Sequence, residues 1–363
     1  MVIGVDAGAL SITDDRLKVG VYRVTKQTLG SLATLDKNNH YRLYTFLPVE
    51  QGIVEVFEGR AKEVVLPMRG WQRVWLPIEL HKRPVDVFLG MSQALPFSKT
   101  SYNIGFIYDL GFLYHPEAYE KSATTLKKQT DTLVRRSDHI ITISSATKAD
   151  LTREYGLTKE KITVAYPGVD ASFSPAGEKY VGPNPYFLFV GSLNKAKDIP
   201  TLLENFANLR GNDLYLVGGN YWPDPAIEET IKKFYLASRV KMLGFVPDEK
   251  LPSYYRGATA FVTTALQEGF CLPAAEAMAC GTPVVALGRG ALGEIVGKGG
   301  IIVSQKSKVE SQKSNFAEAM MKMTDAKGRE EFSKKAIVQA KKFRWEKFAQ
   351  QILNCIHHEH KTT

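Results

Sequence analysis

The chain has 363 residues, 44% of them hydrophobic, and a formal net charge of +9. This length is enough for two domains, and the hydrophobic share is ordinary for a globular protein, which argues against a disordered or fibrous chain. No apolar run approaches the roughly 20 residues of a membrane-spanning helix. The start at Met1 resembles a strand rather than a signal peptide, and the three cysteines have no metal-binding spacing. We therefore expect a cytoplasmic protein.

Strands and helices alternate along the first half of the sequence. A strand at 2–5 is followed by a glycine-containing loop that includes Gly20, and then by a helix over 22–29. Further strands are predicted at 54–57, 64–66, 85–88, 104–107, 139–143 and 161–165. This alternation is typical of a parallel, doubly wound α/β sheet.

A second alternating series follows a linker rich in Pro, Gly and Ser between residues 166 and 185. Its strands are predicted at 186–190, 214–217, 240–243, 260–263, 283–287 and 301–303. One final helix is predicted over about 330–357. These features predict an N-terminal domain over 1–172, a second domain over 173–340 and a C-terminal helical segment over 341–363.

The most informative segment begins at Glu268 and carries a second glutamate, Glu276, eight positions later. Pro273 is expected at the first position of a helix, Glu276 in its first turn, and Gly281 at its C-terminal end. A helix N-terminus at the carboxyl edge of a strand favours anions. The two carboxylates could therefore hold polyol groups of a ligand whose phosphates lie between them. The alternative is that Glu276 only stabilises the helix dipole.

The whole run EGFCLPAAEAMACGTPVVA resembles the donor-site signature of retaining glycosyltransferases with two Rossmann-like domains. This large group, similar to glycosyltransferase family 4, includes many mannosyltransferases and sucrose synthases. The resemblance implies a GT-B fold, in which two α/β Rossmann-like domains face each other across a cleft and a C-terminal helix crosses back to the first domain. It also implies that Glu268 contacts the transferred sugar and Glu276 the ribose. Phe270, Cys271 and Leu272 would offer backbone N–H groups to the donor, with Cys271 replacing the family's usual Gly.

The turn that begins at Gly191 resembles the family's diphosphate-binding turn. Lys197 falls where the family carries a Lys that binds the donor diphosphate. The positions of the usual Arg are occupied by Ser192 and Ala196, so Lys195 is expected to act there as a point charge. The alternative is that both lysines only lie on a surface loop.

Three further segments match the family more loosely. Phe245 and Val246 lie in the loop that meets the nucleobase in relatives, and Gly20 resembles the glycine loop that faces the donor phosphates. Asp109 resembles the Asp of a His-Asp-Leu motif, with Tyr108 in place of His, and is expected near the acceptor hydroxyl or the donor sugar. The alternatives are a strand-ending turn, a simple turn and a helix cap, respectively.

These features predict a retaining glycosyltransferase that moves mannose or glucose from a nucleoside-diphosphate sugar to a glycan or lipid-linked acceptor. Glu268, Lys197 and Asp109 are the expected catalytic residues. No metal or other cofactor is expected. The alternative class is a non-catalytic, glycosyltransferase-like scaffold subunit. A lesser alternative is a hydride-transferring Rossmann enzyme, whose G-x-G-x-x-G is expected after the first strand of the sheet; neither strand 2–5 nor strand 186–190 is followed by one.

The positive net charge fits an anionic donor, and no nucleic-acid motif accompanies it. Residues 66–83 mix apolar side chains with basic ones, including Arg69 and Arg73. This composition suggests that a cytoplasmic protein contacts the inner face of an anionic membrane at its periphery, where lipid-linked acceptors reside. The alternative is a core-packing helix with basic outer positions.

Overall fold

A computed structural model describes residues 1–14, 18, 20–97, 101–219, 224–304 and 309–358. The chain forms two compact units. The first contains Met1–Leu113, Lys121–Gly168 and Arg344–Thr363, and the second contains Tyr114–Glu120 and Val169–Phe343. Tyr114–Glu120 therefore belongs to the second unit, although the chain on both sides of it belongs to the first. None of the described helices is both long and apolar enough to span a membrane.

The first unit is built on a seven-stranded sheet in the order β3-β2-β1-β4-β5-β6-β7. All neighbouring strands are parallel. The strands are β1 Val2–Asp6, β2 His40–Thr45, β3 Ala61–Val65, β4 Val87–Gly90, β5 Tyr102–Ile107, β6 His139–Thr142 and β7 Ile162–Val164. The helices up to this point in the chain are α1 Val21–Leu35, α2 Gln51–Glu55, α3 Leu76–Lys82, α4 Gly111–Tyr114, α5 Pro116–Tyr119, α6 Lys121–Arg136 and α7 Ser145–Tyr155.

The second unit repeats this architecture with a six-stranded parallel sheet in the order β10-β9-β8-β11-β12-β13. The strands are β8 Tyr186–Val190, β9 Asp213–Val217, β10 Val240–Gly244, β11 Ala260–Thr263, β12 Val284–Leu287 and β13 Gly300–Val303. The remaining helices are α8 Ile199–Phe206, α9 Pro225–Lys233, α10 Leu251–Gly257, α11 Leu272–Ala279, α12 Leu292–Val296, α13 Val309–Thr324, α14 Ala326–Ala340 and α15 Trp345–His358. Two doubly wound parallel sheets confirm the predicted fold class.

The central strands of the second unit are buried on both faces, as continuous apolar runs such as YFLFV in β8 predict. Phe187, Leu214 and Val262 belong to one core cluster together with Phe316 of α13. This packing supports the carboxyl edge of the sheet, from which the loops after β8 and β11 emerge.

The single final helix predicted over 330–357 is wrong, because the chain forms α14 and α15 with a break between them. Phe343 lies in the break, is buried, and packs edge-on against Phe270 with ring centroids 5.1 Å apart. Phe343 is the last residue of the second unit in this part of the chain, and Arg344 returns the chain to the first unit. Helix α15 then packs on α1 in the first unit, where it buries Phe348, Ile352 and Ile356.

Two predictions in the first unit also need correction. Residues 54–57 do not form a strand: they end α2 and enter a turn in which the Phe57 N–H bonds the Val54 carbonyl at 3.2 Å. Phe57 is buried against Tyr41, with ring centroids 4.7 Å apart, so its burial does not require a strand. Strand β2 was missed because its sequence, HYRLYT, mixes polar and aromatic residues and lacks a clear apolar run.

Candidate functional site

The loops that follow β8 and β11 meet at the carboxyl edge of the second sheet. The strand order reverses between these two neighbouring strands, and such switch points are where open α/β sheets bind ligands. The loop after β8 passes through Gly191 and a short 3-10 turn, Lys195–Lys197, into α8. The loop after β11 leads through Glu268 into α11.

Lys197 and Glu268 form an ion pair between these two loops. Lys197 Nζ lies 2.7 Å from Glu268 Oε1, and the side chains are 26% and 13% exposed. A Cβ atom added to Gly191 would lie 4.0 Å from Lys197 Cε, so this glycine borders the lysine stem. The structure thus brings together three of the predicted site residues. A partly buried cation beside a carboxylate can bind a phosphate and a sugar hydroxyl at neighbouring points.

Lys195 points away from this pair. Its Nζ lies 2.7 Å from Glu120 Oε1, in the Tyr114–Glu120 segment, and the two side chains are 45% and 66% exposed. The two lysines of the turn therefore differ in partner and in exposure, although they are two positions apart.

Glycines let the neighbouring loops touch backbone to backbone. Gly218 follows β9 with φ 140°, and a Cβ atom on it would lie 1.9 Å from the carbonyl oxygen of Gly191. The Gly218 N–H in turn bonds the Gly244 carbonyl at 2.8 Å. Phe245, which is 40% exposed, and the buried Val246 follow directly. These two predicted residues therefore lie at the same edge of the sheet as the ion pair, after its outermost strand β10.

Cys271 occupies a backbone position that favours glycine. It has φ 73° and ψ 71°, the left-handed region, and it precedes α11 as the N-cap residue. A non-glycine residue there costs about 1–2 kcal/mol, which explains why a Gly suits this position. Burial, assisted by the charge of Glu268, raises the pKa of the Cys271 thiol well above its usual value. The thiol is therefore neutral at physiological pH.

Glu276 lies in the second turn of α11, not in the first as predicted. The left-handed Cys271 starts the helix at Leu272, so Pro273 is its second residue and Glu276 its fifth. Glu276 is 4% exposed. At the other end, Gly281 has φ 79° and donates its N–H to the Met278 carbonyl at 3.0 Å, as expected of a terminating glycine.

The hydroxyl of Tyr255 donates to Glu276 Oε2 at 3.0 Å. Tyr255 comes from α10 and is completely buried, with its ring packed edge-on against Phe173 at 5.8 Å. The Thr282 hydroxyl donates to the Tyr255 carbonyl. The orientation of the Glu276 carboxylate is therefore fixed by a residue that the sequence analysis did not single out.

The remaining predicted residues belong to the first unit. Gly20 precedes α1 with φ 35°, and its carbonyl accepts the Val24 N–H at 3.0 Å. Val19, part of the predicted glycine loop, lies outside the described residues. Asp109 Oδ1 accepts the Gly111 N–H at 2.8 Å, which is an Asx turn just before α4. The Tyr108 hydroxyl donates to the Met91 carbonyl at 2.6 Å inside the unit.

Arg289 is a second residue that the sequence analysis missed. It follows β12 and donates from Nη1 to Asp198 Oδ2 at 3.1 Å and to the Thr264 carbonyl at 3.0 Å. The signal that could have found it is an arginine between two glycines, Gly288 and Gly290, directly after a buried strand. In the described part of the chain, no group of three or more His, Cys, Asp or Glu side chains is arranged to hold a metal ion.

Two family models match the chain side by side. The model for group 1 glycosyl transferases matches residues 184–326, and the model for glycosyltransferase family 4 matches residues 76–173. Together they cover about two thirds of the chain. The O-antigen chain mannosyltransferase B of Escherichia coli is 26% identical over 332 residues, which are 87% of this chain and 83% of that protein.

Solved structures of glycosyltransferases share the fold. Sucrose-phosphate synthase from Thermosynechococcus elongatus matches with a TM-score of 0.78 at 18% identity, covering 100% of both chains. HepE from Anabaena, solved in complex with UDP and glucose, matches with a TM-score of 0.71 at 16% identity, covering 98% of this chain and 99% of that one. With the family matches, the related mannosyltransferase and the two parallel sheets taken together, the chain belongs to the family 4-like glycosyltransferases of GT-B fold and is a glycosyltransferase.

Proposed function

We propose that this glycosyltransferase moves a hexose, mannose or glucose, from a nucleoside-diphosphate sugar to a glycan or lipid-linked acceptor with retention of anomeric configuration. The observation that carries the proposal is the Lys197–Glu268 pair at the switch point of the second sheet. The mannosyltransferase name of the Escherichia coli relative and the UDP and glucose bound to HepE support the class of donor.

In this proposal the donor separates the ion pair, and Lys197 and Glu268 each bind a different part of the donor. Its diphosphate takes the Lys197 ammonium, and its sugar hydroxyls donate to the Glu268 carboxylate. The diphosphate gains negative charge as the bond to the anomeric carbon breaks, so a cation fixed beside it stabilises the oxocarbenium-like transition state more than the ground state. The backbone N–H groups of Phe270, Cys271 and Leu272 add partial positive charge beside the diphosphate. This is how the pair would raise the rate and not only the affinity.

Glu276 is the proposed ribose ligand. Its carboxylate accepts a hydrogen bond from the Tyr255 hydroxyl at 3.0 Å. Because that bond holds the carboxylate in one orientation, Glu276 can accept from ribose hydroxyls without first losing rotational freedom. Phe245 and Val246, at the same sheet edge, are the proposed neighbours of the base.

We propose same-face attack, in which the donor phosphate accepts the proton of the incoming acceptor hydroxyl. The proton then ends on the leaving diphosphate, and the acceptor oxygen forms its bond to the anomeric carbon as the phosphate–sugar bond breaks. Lys197 and the helix dipole take the place of a divalent cation in this scheme. Asp109 and Gly20 keep the roles that the family resemblance gives them.

A basic and apolar patch on the first unit is the proposed membrane contact. Its exposed apolar side chains are Met68, Val74, Trp75, Ile78 and Phe97, which are between 39% and 66% exposed. Arg69 and Arg73 are exposed among them, and the Arg73 guanidinium lies 5.4 Å from the Phe97 ring centroid. Amphipathic surfaces of this kind bind anionic lipid through burial of the apolar side chains and through attraction between the basic side chains and the lipid head groups.

Binding and turnover test the donor proposal separately. Calorimetry with UDP, GDP, ADP and TDP identifies the base, and hydrolysis of the matching sugar nucleotides measures turnover. We expect one nucleoside diphosphate to bind and its sugar conjugate to be hydrolysed slowly without acceptor. Binding without hydrolysis or transfer would favour a scaffold role, and no binding of any would contradict the donor site.

Co-sedimentation with vesicles containing phosphatidylserine tests the membrane contact. Arg69→Glu/Arg73→Glu should lower the vesicle-binding constant by about fivefold for each unit of charge, because a basic residue near the surface contributes about 1 kcal/mol. Lys334→Glu/Lys335→Glu on α14 changes the net charge equally on exposed residues and serves as the matched control. Equal sedimentation of wild type and the Arg69/Arg73 variant would dismiss the contact.

A further inference from the structure

The segment Arg289–Gly290–Ala291, between β12 and α12, touches both loops that carry the Lys197–Glu268 pair. Arg289 bonds Asp198, the residue directly after Lys197, with side chains 18% and 20% exposed. It also bonds the carbonyl of Thr264, at the start of the loop that leads to Glu268. One guanidinium group therefore links the two loops.

The next two residues of the segment contact the backbone of Glu268 directly. The Ala291 N–H donates to the Glu268 carbonyl at 2.8 Å. Gly290 has φ 61°, and a Cβ atom on it would lie 2.3 Å from the Glu268 carbonyl oxygen and 2.8 Å from its nitrogen. Only glycine allows this approach, since any other side chain would push the Glu268 backbone away.

The two loops are also bonded to each other near these contacts. The Thr264 hydroxyl donates to the Asp198 carbonyl at 2.8 Å, and the Leu266 N–H donates to the Ala196 carbonyl at 2.9 Å. Asp198 itself has φ 49°, an uncommon conformation for a non-glycine residue. Burial raises the pKa of its carboxyl, and Arg289 opposes that shift. Arg289 thus stabilises the charged form of a residue whose backbone sets the direction of Lys197.

We infer that Arg289–Gly290–Ala291 is a positioning clamp for sugar transfer: it fixes the separation of Lys197 and Glu268 through their backbones, and Arg289 is its positioning residue. The inference rests on the proposed function of that pair. Preorganised groups act on the transition state only if their geometry is kept, and a displacement of about 1 Å can cost about 10²-fold in rate.

Gly290→Ala tests the backbone half of the clamp. Gly293→Ala, three residues on, is the matched control, because a Cβ atom there meets nothing within 4 Å. We expect Gly290→Ala to lower kcat for hydrolysis of the best of GDP-mannose, UDP-glucose, ADP-glucose and TDP-glucose by about tenfold to a hundredfold. Gly293→Ala should keep the wild-type rate. Equal rates in the two variants would contradict the backbone clamp.

Arg289→Met/Asp198→Asn tests the side-chain half, because the double substitution leaves no unpaired buried charge. Arg239→Met is its control. Arg239, directly before β10, also makes two hydrogen bonds within the second unit, in its case to the backbone carbonyls of Leu209 and Ala207. We expect the double variant to lose kcat by about tenfold or more, while its KM and its affinity for the nucleoside diphosphate stay within about threefold. Arg289→Lys, which keeps one cation but no fork, should recover part of the rate.

The outcomes separate this inference from the proposed function. If wild type hydrolyses none of the four sugar nucleotides, the proposed function and the clamp both fail. If wild type is active and the double variant keeps its kcat, only the clamp fails. A thermal unfolding curve shows that the double variant is folded. A loss that falls on KM and nucleotide affinity would mean that Arg289 binds the donor itself, and a loss equalled by Arg239→Met would mean general destabilisation. Either result overturns the positioning role.

Discussion

Replacing Lys197 with alanine removes the ammonium group that lies 2.7 Å from Glu268, and Lys195→Ala is its matched control two positions away. Lys197 is 26% exposed and faces a carboxylate that is 13% exposed, so water screens its charge only partly. Lys195 and its partner Glu120 are 45% and 66% exposed, which places that pair among surface ion pairs of small energetic effect.

The expected losses follow from this difference. Removing one preorganised electrostatic donor lowers the rate by about 10²–10³, or about 3–4 kcal/mol of transition-state stabilisation. Arg289 cannot replace Lys197, because its guanidinium is bonded to Asp198 and Thr264. We therefore expect Lys197→Ala to be close to inactive and Lys195→Ala to stay within about threefold of wild type.

Initial rates of donor hydrolysis or transfer, measured for both variants beside wild type, test this prediction. Thermal unfolding of each variant controls for loss of fold. If Lys197→Ala keeps more than about a tenth of the wild-type rate, the assigned role of Lys197 at the leaving diphosphate is wrong. The same conclusion follows if Lys195→Ala is the more damaging change.

Three further predictions concern nucleotide binding, metal dependence and pH. Measured by calorimetry, Glu276→Gln should weaken the binding free energy of the nucleoside diphosphate by about 1.5–3 kcal/mol, and Tyr255→Phe should weaken it by about 1 kcal/mol. Unchanged affinity in the Glu276 variant would refute the ribose assignment. Activity should survive EDTA, and complete loss restored by Mg²⁺ or Mn²⁺ would refute the metal-free scheme. Burial raises the pKa of Asp6 from 3.8 to about 6, so its contribution to stability is greatest below about pH 4 and is lost as the pH rises through 6, by about 3 kcal/mol in all. The free energy of unfolding in urea should therefore fall for wild type relative to Asp6→Asn as the pH rises across this range. A difference between the two proteins that does not change with pH would contradict the shift in pKa.

Local patterns in the sequence were enough to predict the fold class. Strands such as YFLFV at 186–190 and VVAL at 284–287 are continuous apolar runs that only a buried parallel strand explains well. Strand β2 has no such run, and its membership of the sheet depends on pairing with β1 and β3. The valines near residue 54 have high strand propensity, but their surroundings place them at a helix end.

The candidate site was predictable where one short segment carries it, as at Glu268 and Glu276. The start of α11 was predicted one residue late, because the left-handed conformation of Cys271 is not evident from its residue type. Tyr255 and Arg289 were missed for a different reason. Each acts on a residue at least 20 positions away in the chain, and only the folded structure shows the hydrogen bond that joins them to Glu276 and Asp198.

The return of α15 to the first unit affects the order in which the two units can be completed. During synthesis the chain emerges from its N-terminus, so the seven strands of the first sheet are made before any strand of the second. The face of α1 that α15 covers nevertheless stays open to water until Phe348, Ile352 and Ile356 have been made. The unit that is synthesised first is therefore finished last, and its apolar face stays exposed on the nascent chain until α15 has been made.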